Sequence, residues 1–163
     1  MAKETEQGLG TPLRFEADPE TKRKKGAYRP VFADVFTLPG ASPSKIEKVH
    51  LLVNPFAGKK RGRAVAAQVV ELVERAGIEI TVSYSAYSGH LVTMASALVV
   101  GDHDIIAVVG GDGSLSEAIT GRMLLNGKRT ETFAIVPAGT GNSQAHDLRL
   151  GTPEEAVEAM LNG

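Results

Sequence analysis

Cysteine and tryptophan are absent from this 163-residue chain, and aromatic residues make up only 5% of it. Without cysteine there are neither disulfides nor thiolate metal sites, and a reducing compartment is permitted. Long hydrophobic runs are missing too: Leu51 to Val53 and Ile105 to Val109 are far too short to span a bilayer. The N-terminal MAKETEQGLG has no apolar core of the kind a signal peptide needs. Nor is there an excess of charge, since 18 Lys and Arg stand against 19 Asp and Glu. That balance excludes a globally basic nucleic-acid binder, so any anionic ligand must be held locally. Together these absences lead us to expect a soluble, cytoplasmic protein.

With 42% hydrophobic and 23% charged residues, the chain is long enough for one domain with a true core plus loose ends. Residues 1 to about 27 mix charges with Gly, Thr and Pro and follow neither a strand nor a helix period, which reads as poor order. Within them, Lys22-Arg23-Lys24-Lys25 suits anionic lipid headgroups or a nuclear address, and four solvated charges are the plainer account. An apolar stretch from Tyr28 to Leu38 is a candidate short strand, and Pro39-Gly40-Ala41-Ser42-Pro43 reads as a linker. The expected organisation is an extension over 1–44 and one regular domain over 45–163.

Inside that domain the pattern alternates. Strands are expected at Val49 to Val53, Ile78 to Tyr84, Ile105 to Val109 and Phe133 to Val136. Helices are expected at about Arg61 to Ala76, Gly89 to Val100 and Ser114 to Leu125. Near-continuous apolar strands separated by amphipathic helices imply an open α/β fold, a mostly parallel sheet with helices on both faces. Val65, Val69, Leu72 and Val73 recur at helical spacing and should form a core stripe. Thr152-Pro153-Glu154-Glu155 has the order of an N-cap, a first-turn proline and a capping-box glutamate, so a last helix should run to about Leu161.

In open parallel sheets, ligands bind beyond the carboxyl ends of the strands, and the unusual loops fall there. The first strand enters Asn54-Pro55-Phe56-Ala57-Gly58-Lys59-Lys60, where a turn-forming Asn, a Gly and two lysines precede a helix start. It lacks the G-x-x-x-x-G-K-[ST] spacing of a Walker loop, and taken alone an ordinary strand-to-helix connection is the plainer account. The third strand ends in Gly110-Gly111-Asp112-Gly113-Ser114, whose glycines make sense if backbone N–H groups approach phosphate while a carboxylate projects. The rival account is that Asp112 and Ser114 cap the next helix. The fourth strand ends in Pro137-Ala138-Gly139-Thr140-Gly141-Asn142-Ser143, and two such loops at neighbouring strand ends suggest one nucleotide cleft. His50 falls within a strand and reads as structural, while His90 and His146 read as hydrogen-bonding accessories.

The order NPFAG, SAYSGH, GGDGSLSEAITG, PAGTGN resembles the diacylglycerol kinase catalytic-domain family, which includes sphingosine, ceramide and bacterial lipid kinases, over roughly Lys48 to Leu161. The resemblance implies the NAD kinase/diacylglycerol kinase-like fold, an ATP-dependent lipid kinase, magnesium as cofactor, a lipid alcohol such as diacylglycerol or a sphingoid base as acceptor, and transient membrane contact. Carried over by position, Asn54, Pro55, Phe56, Ala57 and Gly58 match the loop against the nucleotide. Ser85 stands where the family usually has threonine. Gly111, Asp112, Gly113 and Glu117 match the diphosphate loop and its helix, and Thr140 matches the nucleotide-contacting threonine. Asp112 is the expected catalytic residue, orienting the acceptor hydroxyl or holding magnesium.

Two departures qualify these expectations. Glycerolipid kinases of the family usually read GTGND, whereas Ser143 follows Asn142 here. Full members also continue into a β-rich lipid-binding domain, which is absent from this sequence, so weak or no turnover is expected from these residues alone. The competing readings are a non-catalytic nucleotide-binding module and, ranked lower, an NAD kinase-like enzyme, which shares the GGDG loop but not PAGTGN.

Overall fold

The computed structural model describes residues 46–126 and 131–162. The Lys22–Lys25 run, the Tyr28–Leu38 stretch and the 1–44 extension lie outside the described residues. Within them the chain runs β1 (Lys48–Val53), α1 (Ala57–Lys60), α2 (Gly62–Arg75), β2 (Glu79–Tyr84), α3 (His90–Ala97), β3 (Asp104–Gly110), α4 (Asp112–Met123), β4 (Thr132–Pro137), α5 (Ser143–Asp147) and α6 (Pro153–Asn162). The strands form a four-stranded sheet in the order β2-β1-β3-β4, and every pairing is parallel.

Two-residue alternation along the central strands sends side chains to two separate cores. Val49, Leu51 and Val53 of β1 and Ile105, Ala107 and Val109 of β3 pack with Ala66, Val69 and Val73 of α2 and Ala156, Val157 and Met160 of α6. Leu52, Ile106 and Val108 face the other way, onto Leu91 and Ala95 of α3 and Leu115 and Ala118 of α4. Helices therefore cover both faces, which is why β3 carries apolar residues without interruption. The predicted stripe is in place: Val69 and Val73 are fully buried, with Val65 and Leu72 packed beside them. Each such buried aliphatic side chain contributes about 1.5–3 kcal/mol.

The crossover from β1 leads outward to β2, whereas that from β3 leads the opposite way to β4. The chain thus diverges between the carboxyl ends of β1 and β3, and in sheets of this order that crevice is where ligands bind.

The helix ends explain the lengths. At the end of α2, Gly77 takes φ +74°, its N–H donates to the Glu74 carbonyl at 2.9 Å, and Ile78 N–H donates to Val73 at 3.3 Å. This is the paired closing turn that glycine permits. The last helix starts with the expected reciprocal cap: Glu155 N–H donates to Thr152 Oγ1 at 3.1 Å and Thr152 N–H to Glu155 Oε2 at 3.1 Å. The third helix stops at Ala97, short of the predicted Val100, because Leu98 is already extended. Its last carbonyls, Ala95 and Leu98, accept from Arg122 Nη1 at 3.0 and 2.8 Å. That buried guanidinium also binds Glu131 at 2.6 Å, linking α3, α4 and the approach to β4. No local sequence pattern forecasts such a long-range cap.

At the opposite end of the sheet from the crevice, Asp104 accepts from Gly101 N–H at 2.8 Å and from His50 Nε2 at 3.1 Å. Because a carboxylate only accepts, Nε2 carries the proton, and in the neutral ring Nδ1 accepts from Thr81 Oγ1 at 3.2 Å. These bonds, Gly101 first and His50 after it, hold the Asp104 carboxyl below its ordinary value against the opposing effect of burial. His50 is thus structural, as its position in a strand implies.

A Cβ on Gly121 would lie 2.2 Å from the Val92 carbonyl oxygen of α3. Gly121→Ala should therefore force the helices apart and lower the unfolding free energy by about 1–3 kcal/mol in denaturant titrations. Asp104 stabilises the fold above the carboxylate's unfolded pKa, and this contribution is lost as pH falls through its depressed folded value. Asp104→Asn should accordingly be less stable than the parent at neutral pH, with the gap closing in acid.

Candidate functional site

The β1 loop is built by Asn54. Its N–H prolongs the ladder to Val109 O at 2.9 Å, its Oδ1 accepts from Phe56 N–H at 3.0 Å, and its Nδ2 donates to Ser114 Oγ at 3.1 Å. The first bond extends the strand, the second turns the chain, and the third fixes the turn to α4. Gly58 then lies left-handed at φ +54°, and a Cβ there would sit 1.8 Å from the Ala138 carbonyl oxygen. Only glycine brings the β1 and β4 loops that close. Lys59 and Lys60 follow, also left-handed, at φ 61° and 69°.

The β2 loop begins at buried Ser85, whose N–H donates to Val53 O at 2.8 Å. It ends at Gly89, whose N–H donates to Glu117 Oε1 at 3.1 Å. Just after it, at the start of α3, the His90 Nδ1 accepts from Ala86 N–H at 3.0 Å, and its ring stacks on Tyr87 with centroids 4.5 Å apart. His90 is a hydrogen-bonding accessory, in line with its reading from sequence.

The β3 and β4 loops meet directly. Gly110 O accepts from Ala138 and Gly139 N–H at 2.9 and 3.1 Å. A Cβ on Gly139 would come within 2.8 Å of the Gly111 Cα, so the two glycine loops touch backbone to backbone. Asn142, at φ 47°, folds back with its Nδ2 donating to Gly139 O at 2.7 Å, and its buried Oδ1 has no hydrogen-bond partner. That leaves an orphaned acceptor enclosed between the loops.

Asp112 accepts Ser143 N–H on Oδ2 at 2.9 Å and Gln144 N–H on Oδ1 at 3.0 Å. It therefore caps α5, not its own helix, and Ser114 is taken by Asn54. The rival expectation that Asp112 and Ser114 cap α4 is corrected by this pairing: α4 starts from extended Gly111 with no side-chain cap. Gln144 N–H, then Ser143 N–H, lowers the Asp112 pKa, which burial opposes. The group is ionised near neutrality, and each oxygen has acceptor capacity left.

Of the residues singled out from sequence, Asn54, Gly111, Asp112 and Gly113 converge on the β1/β3 crevice, with exposed Thr140 on the adjoining loop. Pro55 and Ala57 are buried and underpin their turn; Phe56 is exposed. Ser85 is only 7% exposed, and Glu117 spends one oxygen on Gly89. Sequence reasoning missed the Ser114 contact, set by Asn54 at the end of a different strand, and the fold-back of Asn142 onto Gly139 within its own loop. Gly113 differs from the packed glycines: a Cβ there would meet nothing within 4 Å. No neighbour in the fold requires its smallness. Among the described residues no group of three or more His, Asp or Glu could hold a metal ion. Asp112 supplies a single hard oxygen donor, which fits a magnesium ion bound chiefly by a ligand's own phosphates.

Comparison with known proteins bears on these loops. The chain is 31% identical to sphingosine kinase B of Dictyostelium discoideum over 132 residues, which cover 78% of this chain and 17% of that protein. It is 28% identical to the diacylglycerol kinase of Bacillus subtilis strain 168, covering 72% of this chain and 39% of that one. The crystal structure of a diacylglycerol kinase from Bacillus anthracis str. Sterne superposes with a TM-score of 0.60 at 28% identity, over 72% of this chain and 42% of that one. The chain thus spans well under half the length of these relatives. Residues 48–163 match the diacylglycerol kinase catalytic domain, with all four strand-end loops inside the match, and the chain belongs to that family.

Proposed function

We propose that residues 45–163 are the ATP-binding half of a lipid kinase that transfers a γ-phosphoryl group to a lipid hydroxyl such as that of diacylglycerol or a sphingoid base. The observation that carries this reading is the Gly113 position. A helix start with open space over a glycine favours any other residue on propensity, so the missing side chain is best explained by room kept for a phosphate.

In this reading the α4 N-terminus and the β1/β3 crevice receive the phosphates, where free N–H groups and the helix dipole favour negative charge. Asp112 would be the protein's donor to a magnesium ion brought by the nucleotide, which would supply charge neutralisation at the phosphates. Asp112 has a second task, since its ionised oxygens can accept the hydrogen bond of an acceptor hydroxyl and orient it. Phosphoryl transfer has a loose transition state, so orientation and charge neutralisation matter more than strong proton abstraction. Phe56 and Thr140, both exposed beside the crevice, would border the nucleoside. Asn54, Pro55, Ala57, Gly58, Ser85, Gly111 and Glu117 act by holding the loops in place.

One observation favours a non-catalytic nucleotide-binding module instead: both Asp112 oxygens already bind backbone N–H groups of α5. Substitution separates the two readings. In an enzyme, Asp112→Asn should cut lipid phosphorylation by about a hundredfold or more while ATP affinity changes far less. A module would lose nothing but stability.

Calorimetric titration of the chain with ATP and magnesium, beside phosphorylation assays on diacylglycerol, sphingosine and ceramide, tests the proposal directly. Binding is expected, with weak or no turnover from these residues alone. A chain that binds no ATP would sink it. Gly113→Ala gives a sharper check: it should leave stability unchanged or raise it by about 0.5 kcal/mol, yet weaken ATP binding. Unchanged affinity in that variant would show that the open space serves no phosphate.

A further inference from the structure

We infer that Asn142 is a positioning residue for Asp112: by folding back on Gly139 it withholds its side chain from the N-terminus of α5 and leaves the backbone N–H groups there to aim the Asp112 carboxylate. The inference rests on the kinase reading for what that carboxylate does, though not for the geometry.

Asparagine at the head of a helix ordinarily does something else. Asn142 is the N-cap of α5, and its carbonyl accepts from His146 N–H at 2.8 Å to start the helix. A residue of this type at that position usually takes an extended backbone and turns its side-chain oxygen onto one of the first free N–H groups of its own helix. Here φ is +47°, and the side chain makes no cap bond to α5. Its Nδ2 donates to Gly139 O at 2.7 Å instead. A Cβ on Gly139 would stand 2.8 Å from both Asn142 Oδ1 and Gly111 Cα, so the amide fills the notch where the β3 and β4 loops meet.

This arrangement is unfavourable in two respects. A left-handed backbone strains any residue with a Cβ, even asparagine, which tolerates it best. A buried acceptor without a partner has given up its hydrogen bond to water, and Asn142 Oδ1 is such an atom. Glycine at 142 would avoid both. Strain of this kind persists where the surroundings enforce it, and it gathers at functional sites. Its consequence lies in the next two residues. Ser143 and Gln144 N–H, unclaimed by Asn142, each bind a different oxygen of Asp112, at 2.9 and 3.0 Å. Two bonds to two oxygens fix the plane of the carboxylate as well as its place. Asn142 thus ties the loop that aims Asp112 to the loop that carries it.

Asn142→Gly tests the inference, because glycine keeps the left-handed turn without strain and removes only the side chain. The variant should unfold at the same denaturant concentration as the parent or a higher one. In amide-resolved NMR spectra the Gln144 proton, two residues from the substitution, should move upfield as its bond to the carboxylate loosens. Asp112→Asn should move it in the same direction. Calorimetric titration should show the gain in ATP affinity brought by magnesium reduced about tenfold, as when a group supporting a metal-linked side chain is lost. ATP affinity without magnesium should hardly change. A less stable Asn142→Gly with the Gln144 proton and the magnesium dependence unmoved would overturn the inference and leave Asn142 merely structural. An upfield shift in Asp112→Asn alone would overturn it as well. A parent chain that binds no ATP would refute the kinase reading, and the Gln144 proton would still decide whether Asn142 aims Asp112.

Discussion

Every loop of the crevice is held by the first two turns of α4. Asp112 takes the N-terminus of α5, Ser114 takes Asn54 after β1, and Glu117 takes Gly89 before α3. Each bond joins a side chain on one rigid helix to a segment from a different strand. The helix is itself anchored below by Arg122, which closes α3 and reaches Glu131. A site whose parts come from four strand ends needs such a common support, because backbone loops alone do not hold sub-ångström positions.

In the proposed kinase, Asp112 would have two roles that compete for the same oxygens. Capping α5 keeps the carboxylate ionised and fixes its direction, which is what a magnesium-linked or hydroxyl-orienting group requires. The acceptor capacity that remains is limited, so the ligand's own phosphates must supply most of any metal's coordination. Ser143, in place of the aspartate common in glycerolipid kinases of the family, offers a backbone N–H to Asp112 and adds no second carboxylate next to it. The crevice consequently carries less negative charge than a paired-carboxylate site would.

The α/β order, all four strands and the principal helices were legible because hydrophobic period and turn chemistry are local. Strand bounds agree to within a residue, the α2 stripe is buried as spaced, and the Thr152–Glu155 box forms as written. The site loops were legible for a similar reason, since glycines around a lone aspartate at a strand end are costly without a use. Pairings across the fold were not. Asp112 with Ser143 and Gln144, Ser114 with Asn54, and Arg122 with the end of α3 join residues far apart in the chain, and no period encodes them.

The amino-acid order therefore determined which segments become strands and helices, and which strand ends carry glycine-rich loops, through patterns spanning a few residues each. Tertiary structure alone decided the partners: which helix Asp112 caps, which glycines are small for packing and which for open space, and that Arg63 meets Tyr84. Those outcomes depend on strand order and on which face each helix covers, and both are settled only when the two cores close around the sheet.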